Sequence, residues 1–257
     1  MSMEFLTVKN QTETSADLYF YGDIVSDSWA KWTDEDTCPQ DITDALKCCE
    51  NADTLNIYIN SGGGSVWAGI AIHNILKRCN AKKIVHIDGL AASIASVIAL
   101  AGDELIMPAN TFMMIHKAWT YTSGNADDLR AAADELDKIE QSIVKVYSDN
   151  CTEDVTEEHI KELMSAETWL TADETAKLFK NVTVTGGTDA VNCISDFTFG
   201  KMPDGITVKS KILPKTPPQK AEQNKQPIPD GEITNEALEK LKNFKNFLFL
   251  EEENENE

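Results

Sequence analysis

The first half of the chain alternates between two hydrophobic patterns. Short apolar runs, some with alternating polar residues, are typical of strands and occur at residues 17–22, 55–60, 84–87, 105–107 and 112–115. Between them, apolar residues recur every three to four positions, as on one face of a helix. These residues are Ile42, Ala45 and Leu46, and then Ile72, Ile75, Leu76 and Cys79. Strands that alternate with helices predict an α/β fold with a largely parallel sheet covered by helices.

Two more helices are predicted after the last of these strands. Residues 125–150 form one long amphipathic pattern, whose length exceeds the edge of a small domain. Subunit contacts and ordinary core packing both account for its apolar stripe. Residues 157–164 form a second, shorter helix. The T-x-x-E spacing of Thr171 and Glu174 predicts a capping box, which occupies Glu174 and leaves Glu167 without a structural role.

The composition changes near residue 200, which divides the chain into three parts. Residues 1–200 carry the strand and helix patterns and are expected to form one domain. Residues 201–234 are rich in proline, lysine, glutamine and asparagine, as in a flexible linker. Residues 235–257 hold a short helical pattern and then an acidic end that we expect to be solvated and disordered.

Charge and cysteine content exclude several classes of function. The formal net charge is −20, which disfavours nucleic acid and anionic membranes as partners. No apolar run approaches the length of a membrane span, and no export signal begins the sequence, so we expect a cytoplasmic protein. The six cysteines show no C-x-x-C spacing or histidine partner, which predicts reduced thiols and no metal site.

Ser93 is the first candidate for chemistry. It follows a predicted strand, lies among small residues and precedes an apolar segment that is typical of a buried helix. A serine at such a turn has backbone N–H groups and a positive helix end beside it, which suits a nucleophile whose reaction develops an oxyanion. The alternative is a serine that only caps the helix.

Two further features fit the same chemistry. The glycine-rich turn at residues 61–65 exposes backbone N–H groups for a phosphate or an oxyanion, and it lacks the endings of a P-loop or dinucleotide site. His116 directly follows an apolar run. A histidine there is either structural or the general base of a reaction near neutral pH.

Four motifs in order give the sequence a resemblance to the proteolytic subunits of Clp proteases, in the fold group that also includes the crotonases. Residues 60–64 resemble the family's N-S-P-G-G turn with glycine in place of proline, and Ala68-Gly69 follow at the family's offset. Residues 89–93 resemble its G-x-A-A-S turn, and residues 114–116 its M-I-H motif. Residues 167–172 resemble the D-R-x-x-S-A segment that carries the family's acid.

The resemblance implies a fold of repeated β-β-α units with a protruding long helix. It makes Ser93 the nucleophile, His116 its general base and Glu167 the orienting acid, where the family has aspartate. Asp173 is the reserve candidate for the acid. Gly64 and Ile94 become the two oxyanion donors. No cofactor or metal is implied.

The resemblance also implies partners. Polypeptides are the expected substrates, and the long helix is expected to join subunits into a ring or double ring. Few residues precede the first strand for the family's axial loops, which disfavours docking to an unfoldase ATPase, although cleavage with or without an ATPase fits the family. The proline-rich linker, the acidic tail and the segment at 167–172 are similar to phage and prophage head maturation proteases that cleave scaffold or capsid precursors.

Two other functions stay open on the sequence. A non-catalytic capsid assembly protein would retain the fold and use its acidic C-terminal segment to bind capsid or scaffold chains. A crotonase-like acyl-CoA enzyme would use the same oxyanion geometry without a covalent serine. The acidic chain disfavours the second of these, because coenzyme A carries phosphate groups.

Overall fold

The computed structural model describes residues 14–187, and within them the strands form one seven-stranded sheet. The strands are β1 (Ser15–Phe20), β2 (Thr54–Ser61), β3 (Lys82–Ala92), β4 (Glu104–Pro108), β5 (Phe112–Ile115), β6 (Thr168–Thr171) and β7 (Val182–Thr185). The predicted linker and the C-terminal helical and acidic segment lie outside the described residues.

Six α-helices lie between these strands in the described part of the chain. They are α1 (Pro39–Cys48), α2 (Val66–Arg78), α3 (Ile94–Ala99), α4 (Ala126–Asn150), α5 (Glu157–Ser165) and α6 (Ala172–Leu178). A short 3-10 helix, Ser28–Ala30, lies between β1 and α1. The sequence pattern predicts α1 to α5 and the capping box that begins α6, but it predicts neither the 3-10 helix nor β7.

The main path of the sheet has the order β1-β2-β3-β4-β7, and every neighbouring pair on it is parallel. This arrangement confirms the predicted α/β class with a largely parallel sheet. The strand β3 is long enough to have two sets of neighbours. Its first half pairs with β2 and β4, and its last three residues pair with β5, which in turn pairs antiparallel with β6.

The core lies against one face of the parallel strands, where alternate side chains such as Leu55, Ile57 and Ile59 are buried. Helix α3 is buried along its whole length, which explains why every residue in it except Ser96 is apolar. Gly69 of α2 allows the close approach of the two helices, because a Cβ atom there would lie 2.1 Å from Ile94 Cγ1. Burial of this kind contributes about 25 cal/mol per Å² of apolar surface.

Helix α4 is buried only in its second half. Its buried residues begin at Ile139, and Leu129 in the first half is 47% exposed. The helix begins with a capping box, in which Asn125 accepts hydrogen bonds from Asp127 N and Asp128 N. Leu136 packs against the edge of the core, whereas the first turns of α4, around Leu129, have no buried residue. No helix within residues 14–187 is long and apolar enough to cross a membrane.

Candidate active site

The register of three neighbouring strands brings Ser93, His116 and Glu167 together. Ala92 pairs with Met114 across the parallel strands β3 and β5, and Ser93 N–H donates to Met114 O at 2.9 Å. Ser93 and His116 therefore leave the carboxyl ends of adjacent strands. Because Ile115 pairs with Thr168 across β5 and β6, Glu167 precedes its strand beside His116.

Ser93 Oγ lies 2.7 Å from His116 Nε2, which is hydrogen-bonding distance. When Nε2 accepts the serine proton, the imidazole must carry its own proton on Nδ1. Burial lowers the pKa of His116, and the charge of Glu167 acts in the opposite direction. The net shift is downward, so the ring is neutral near pH 7 and has a lone pair available for the serine proton.

The backbone of Ser93 is held in an unusual conformation. Its φ angle is +54°, which a residue with a side chain adopts at a cost of about 1–3 kcal/mol. The side chain makes no capping hydrogen bond to helix α3. The helix-cap alternative for Ser93 is therefore not realised, and its hydroxyl faces His116 instead.

The glycine turn forms the opposite wall of the site. Gly63 and Gly64 have φ angles of +98° and +142°, which favour glycine. A Cβ atom on Gly63 would lie 2.8 Å from both Ala92 O and Ser93 Cβ. The glycine therefore allows the turn to lie directly against the nucleophile.

A backbone bridge orients the N–H of Gly64. Ile24 N–H donates to Gly63 O at 2.8 Å, and Ser65 N–H donates to Ile24 O at 2.7 Å. In a bridge of this kind, the N–H of the central residue points away from the partner strand. Gly64 lines the cleft together with Ser93 and His116, so this predicted oxyanion donor lies at the site.

Ile94 is the other predicted oxyanion donor. It is the first residue of helix α3 and directly follows Ser93. The N–H groups in the first turn of a helix have no acceptor within the helix. The side chain of Ile94 is buried against α2, so only its backbone can take part in chemistry at Ser93.

The two carboxylates considered for the acid occupy different environments. Glu167 is half-buried, has a φ of +51° and acts on the pKa of His116. Asp173 is exposed in the first turn of α6. Glu174 accepts hydrogen bonds from Thr171 N and Thr171 Oγ1, as the predicted capping box requires. Of the predicted carboxylates, Glu167 is the one that the structure brings to His116.

The cleft beside Ser93 is small and partly apolar. Its volume is about 160 Å³, and its lining is Gly62, Gly64, Val66, Ser93, His116, Ala118 and Trp119. For scale, an engineered apolar cavity of about 150 Å³ holds one benzene molecule. Sequence reasoning did not single out Trp119, although it lies only three residues after His116. A larger cavity between the C-terminal ends of α1 and α2 shares no residue with this cleft.

The predicted reduced thiols agree with the structure of the described residues. Cys38, Cys48, Cys49, Cys79 and Cys151 are free cysteines, and burial raises the pKa of Cys151 to about 11. Cys193 lies outside the described residues. A thiol with a raised pKa is a poor nucleophile at neutral pH, so Cys151 does not compete with Ser93 for that role.

Comparisons with known proteins place these residues in a family context. Residues 33–179, more than half of the chain, match the family described as Clp protease. The ATP-dependent Clp protease proteolytic subunit of Deinococcus radiodurans is 30% identical over 126 residues, which cover 48% of this chain and 60% of that protein. The corresponding subunit of Ligilactobacillus salivarius is 35% identical over 104 residues, with coverages of 39% and 52%.

A third relative gives the same result. The ATP-dependent Clp protease proteolytic subunit of Streptococcus mutans is 31% identical over 136 residues, which cover 51% of this chain and 68% of that protein. The chain thus spans between about half and two thirds of the length of these three relatives. The matched family region contains Gly64, Ser93, His116 and Glu167.

Proposed function

The chain belongs to the Clp protease family, and on this premise we propose that it is a serine endopeptidase that cleaves polypeptides through an acyl-enzyme on Ser93. The observation that carries the proposal is the 2.7 Å hydrogen bond between Ser93 Oγ and His116 Nε2. A serine hydroxyl is a weak nucleophile until a neighbouring base takes its proton. The base is in place here.

The first half of the reaction forms the acyl-enzyme. Ser93 Oγ attacks the scissile carbonyl carbon while His116 Nε2 takes the hydroxyl proton, and the carbonyl oxygen becomes an oxyanion facing the N–H groups of Gly64 and Ile94. Loss of one such donor costs about 3–4 kcal/mol of transition-state stabilisation in a comparable enzyme. His116 then gives its proton to the leaving amine as the peptide C–N bond breaks.

The second half returns the enzyme to its starting state. Water attacks the ester carbon and passes a proton to His116, and the C–O bond to Ser93 then breaks as the serine regains its proton. Glu167 supports both halves through its charge, which favours the imidazolium that forms in each of them. This arrangement is that of a serine peptidase in which glutamate replaces aspartate.

The direct test is hydrolysis of an unfolded polypeptide by the full chain and by the Ser93→Ala variant. We expect cleavage by the wild type and none above background by Ser93→Ala. Ser142→Ala is the matched control, because Ser142 is an exposed serine on α4. Equal cleavage by Ser93→Ala and the wild type would contradict the proposal. Turnover of an acyl-CoA thioester without peptide cleavage would favour the crotonase-like alternative.

A ring or double ring is the assembly that we propose for this peptidase. The support is the start of α4, where the apolar stripe begins at Leu129, which is 47% exposed in the described part of the chain. An amphipathic helix with an uncovered apolar face is typical of subunit contacts.

The substrates that we propose are scaffold or capsid precursors of a phage or prophage head. The support is in the sequence, namely the Glu-Thr-Trp-Leu-Thr-Ala segment at residues 167–172 and the acidic C-terminal region. The Ser93→Ala variant provides a test, because it can bind a substrate without releasing it as products. We expect it to retain a scaffold or capsid precursor that the wild type cleaves. Binding of that precursor without cleavage by the wild type would favour the non-catalytic assembly role.

A further inference from the structure

The backbone of Ser93 is fixed by hydrogen bonds on both of its main-chain polar groups. Its N–H donates to Met114 O at 2.9 Å. Its carbonyl oxygen accepts from Ser96 Oγ at 2.5 Å and from Ser96 N–H at 3.0 Å. A residue with a positive φ persists only where its surroundings hold it. These hydrogen bonds therefore maintain the backbone conformation of Ser93.

A second hydroxyl lies behind Ser96. Tyr147 Oη is 2.7 Å from Ser96 Oγ, and both side chains are buried, with exposures of 1% and 0%. Burial raises the pKa of Tyr147, so its hydroxyl keeps its proton at neutral pH. Because the single proton of the Ser96 hydroxyl goes to the Ser93 carbonyl, Tyr147 must be the donor to Ser96. The hydrogen bonds therefore run in one direction, from Tyr147 through Ser96 to Ser93.

This direction has a consequence for the oxyanion site. The carbonyl of Ser93 and the N–H of Ile94 belong to the same planar peptide group, and in a trans peptide they point to opposite sides. A hydrogen bond that fixes the Ser93 carbonyl therefore also fixes the direction of the Ile94 N–H. Neither Ser96 nor Tyr147 lines the cleft, so neither of them meets a substrate there.

From this geometry we infer that Tyr147 and Ser96 are positioning residues that orient the Ile94 N–H toward the oxyanion. The inference rests on the proposed function and adds two residues to it. Tyr147 belongs to α4 and lies 51 residues beyond Ser96 in the sequence. The hydrogen bond between them therefore connects the long helix to the backbone of Ser93. The role differs from ordinary packing, because it depends on a hydroxyl rather than on the bulk of the ring.

The test compares Tyr147→Phe and Ser96→Ala with the wild type and with Ser148→Ala. Tyr147→Phe keeps the ring, which lies 5.9 Å from the ring of Phe179, and removes only the hydroxyl. Ser148 is the matched control, because its buried hydroxyl has no hydrogen-bond partner among the described residues. The full chain is treated with a fluorophosphonate probe, and both the labelling rate and the final labelled fraction are measured.

We expect Tyr147→Phe and Ser96→Ala to be labelled about fivefold more slowly, because losing one ordinary hydrogen bond in the transition state slows a reaction by about this factor. The final labelled fraction should be unchanged. Ser148→Ala should be labelled at the wild-type rate. The double variant should be no slower than Ser96→Ala, because Tyr147 acts through Ser96. The pH midpoint of labelling should be the same in all variants, since His116 is untouched.

Two outcomes would overturn the inference while the wild type is labelled normally. One is a wild-type labelling rate in both Tyr147→Phe and Ser96→Ala. The other is a smaller labelled fraction at an unchanged rate, which is the effect of losing folded protein. If the wild type is not labelled at Ser93, the proposed function itself fails, and the inference fails with it.

Discussion

Glu167 lies beside His116 because their neighbours in the chain, Thr168 and Ile115, pair with each other across strands β6 and β5. The carboxylate raises the pKa of His116, and burial of the imidazole lowers it by a larger amount. The base is therefore neutral at physiological pH, while its protonated form still has a counter-charge nearby. This pairing gives the first prediction, which concerns pH.

The wild-type labelling rate should fall as the pH drops through the pKa of His116, which lies below the ordinary value of 6.5. Protonated His116 cannot accept the serine proton, so the activity belongs to the high-pH side of the transition. Glu167→Gln removes the charge that raises this pKa. Its midpoint should therefore move to lower pH, and its maximal rate should fall about tenfold or more as the imidazolium loses support.

Asp173→Asn is the control for the acid, because Asp173 is exposed on α6. Its pH profile and rate should match those of the wild type. If Asp173→Asn shifts the profile and Glu167→Gln does not, Asp173 is the acid that orients His116.

The glycine turn should not tolerate a side chain. Gly63→Ala places a Cβ atom 2.8 Å from Ser93 Cβ and Ala92 O at a φ of +98°, so we expect it to lower stability by about 1–3 kcal/mol and to slow labelling. Gly186→Ala is the control, since no atom lies within 4 Å of a Cβ atom there. Thermal unfolding and labelling rates measure both effects. A Gly63→Ala protein with wild-type stability and rate would show that the turn does not depend on this close approach.

Trp119 should limit the side chain that is accepted beside the scissile bond. The cleft of about 160 Å³ must also hold the scissile carbonyl, which leaves room for an aliphatic side chain of about leucine size. Trp119→Ala should raise kcat/KM for peptides with phenylalanine or tryptophan at this position about tenfold relative to leucine peptides. Trp29→Ala, at a 96% exposed tryptophan outside the cleft lining, should keep the wild-type preference. An unchanged preference in Trp119→Ala would exclude this tryptophan as the limit.

The exposed half of α4 should carry the subunit contacts. Leu129→Asp places a charge on the apolar stripe and should reduce the mass measured by light scattering toward that of a 28.4 kDa monomer. Ala131→Asp is the matched control, because a residue two positions further lies on the opposite side of the helix. A wild-type protein that is a monomer at micromolar concentration would contradict the proposed ring. If the two substitutions reduced the measured mass equally, the subunit contact would not be made by the apolar stripe of α4.

Much of this site could be predicted from local sequence patterns. Ser93, Gly64 and His116 lie at strand ends that apolar runs mark, and the capping box at Thr171 correctly separated Glu174 from Glu167. These features depend on residues that are close together in the sequence. The α/β class followed from the same alternation of strands and helices.

Other features depend on contacts between residues that are distant in the sequence, and the hydrophobic periodicity of the sequence does not show these contacts. Tyr147 belongs to the apolar stripe of α4, and the pattern does not show that its hydroxyl meets Ser96. The short strand β7 alternates valine and threonine, and its place beside β4 depends on the path of the intervening chain. The pairing of β6 with β5, which brings Glu167 to His116, is likewise a property of the folded sheet.

The most direct test of the central claim is mass spectrometry of the full chain after reaction with a fluorophosphonate probe. We predict one adduct per chain, located on the peptide that contains Ser93 and absent from the Ser93→Ala variant. An adduct that persists in Ser93→Ala, or a wild-type protein that gains no adduct, would contradict the assignment of Ser93 as the nucleophile.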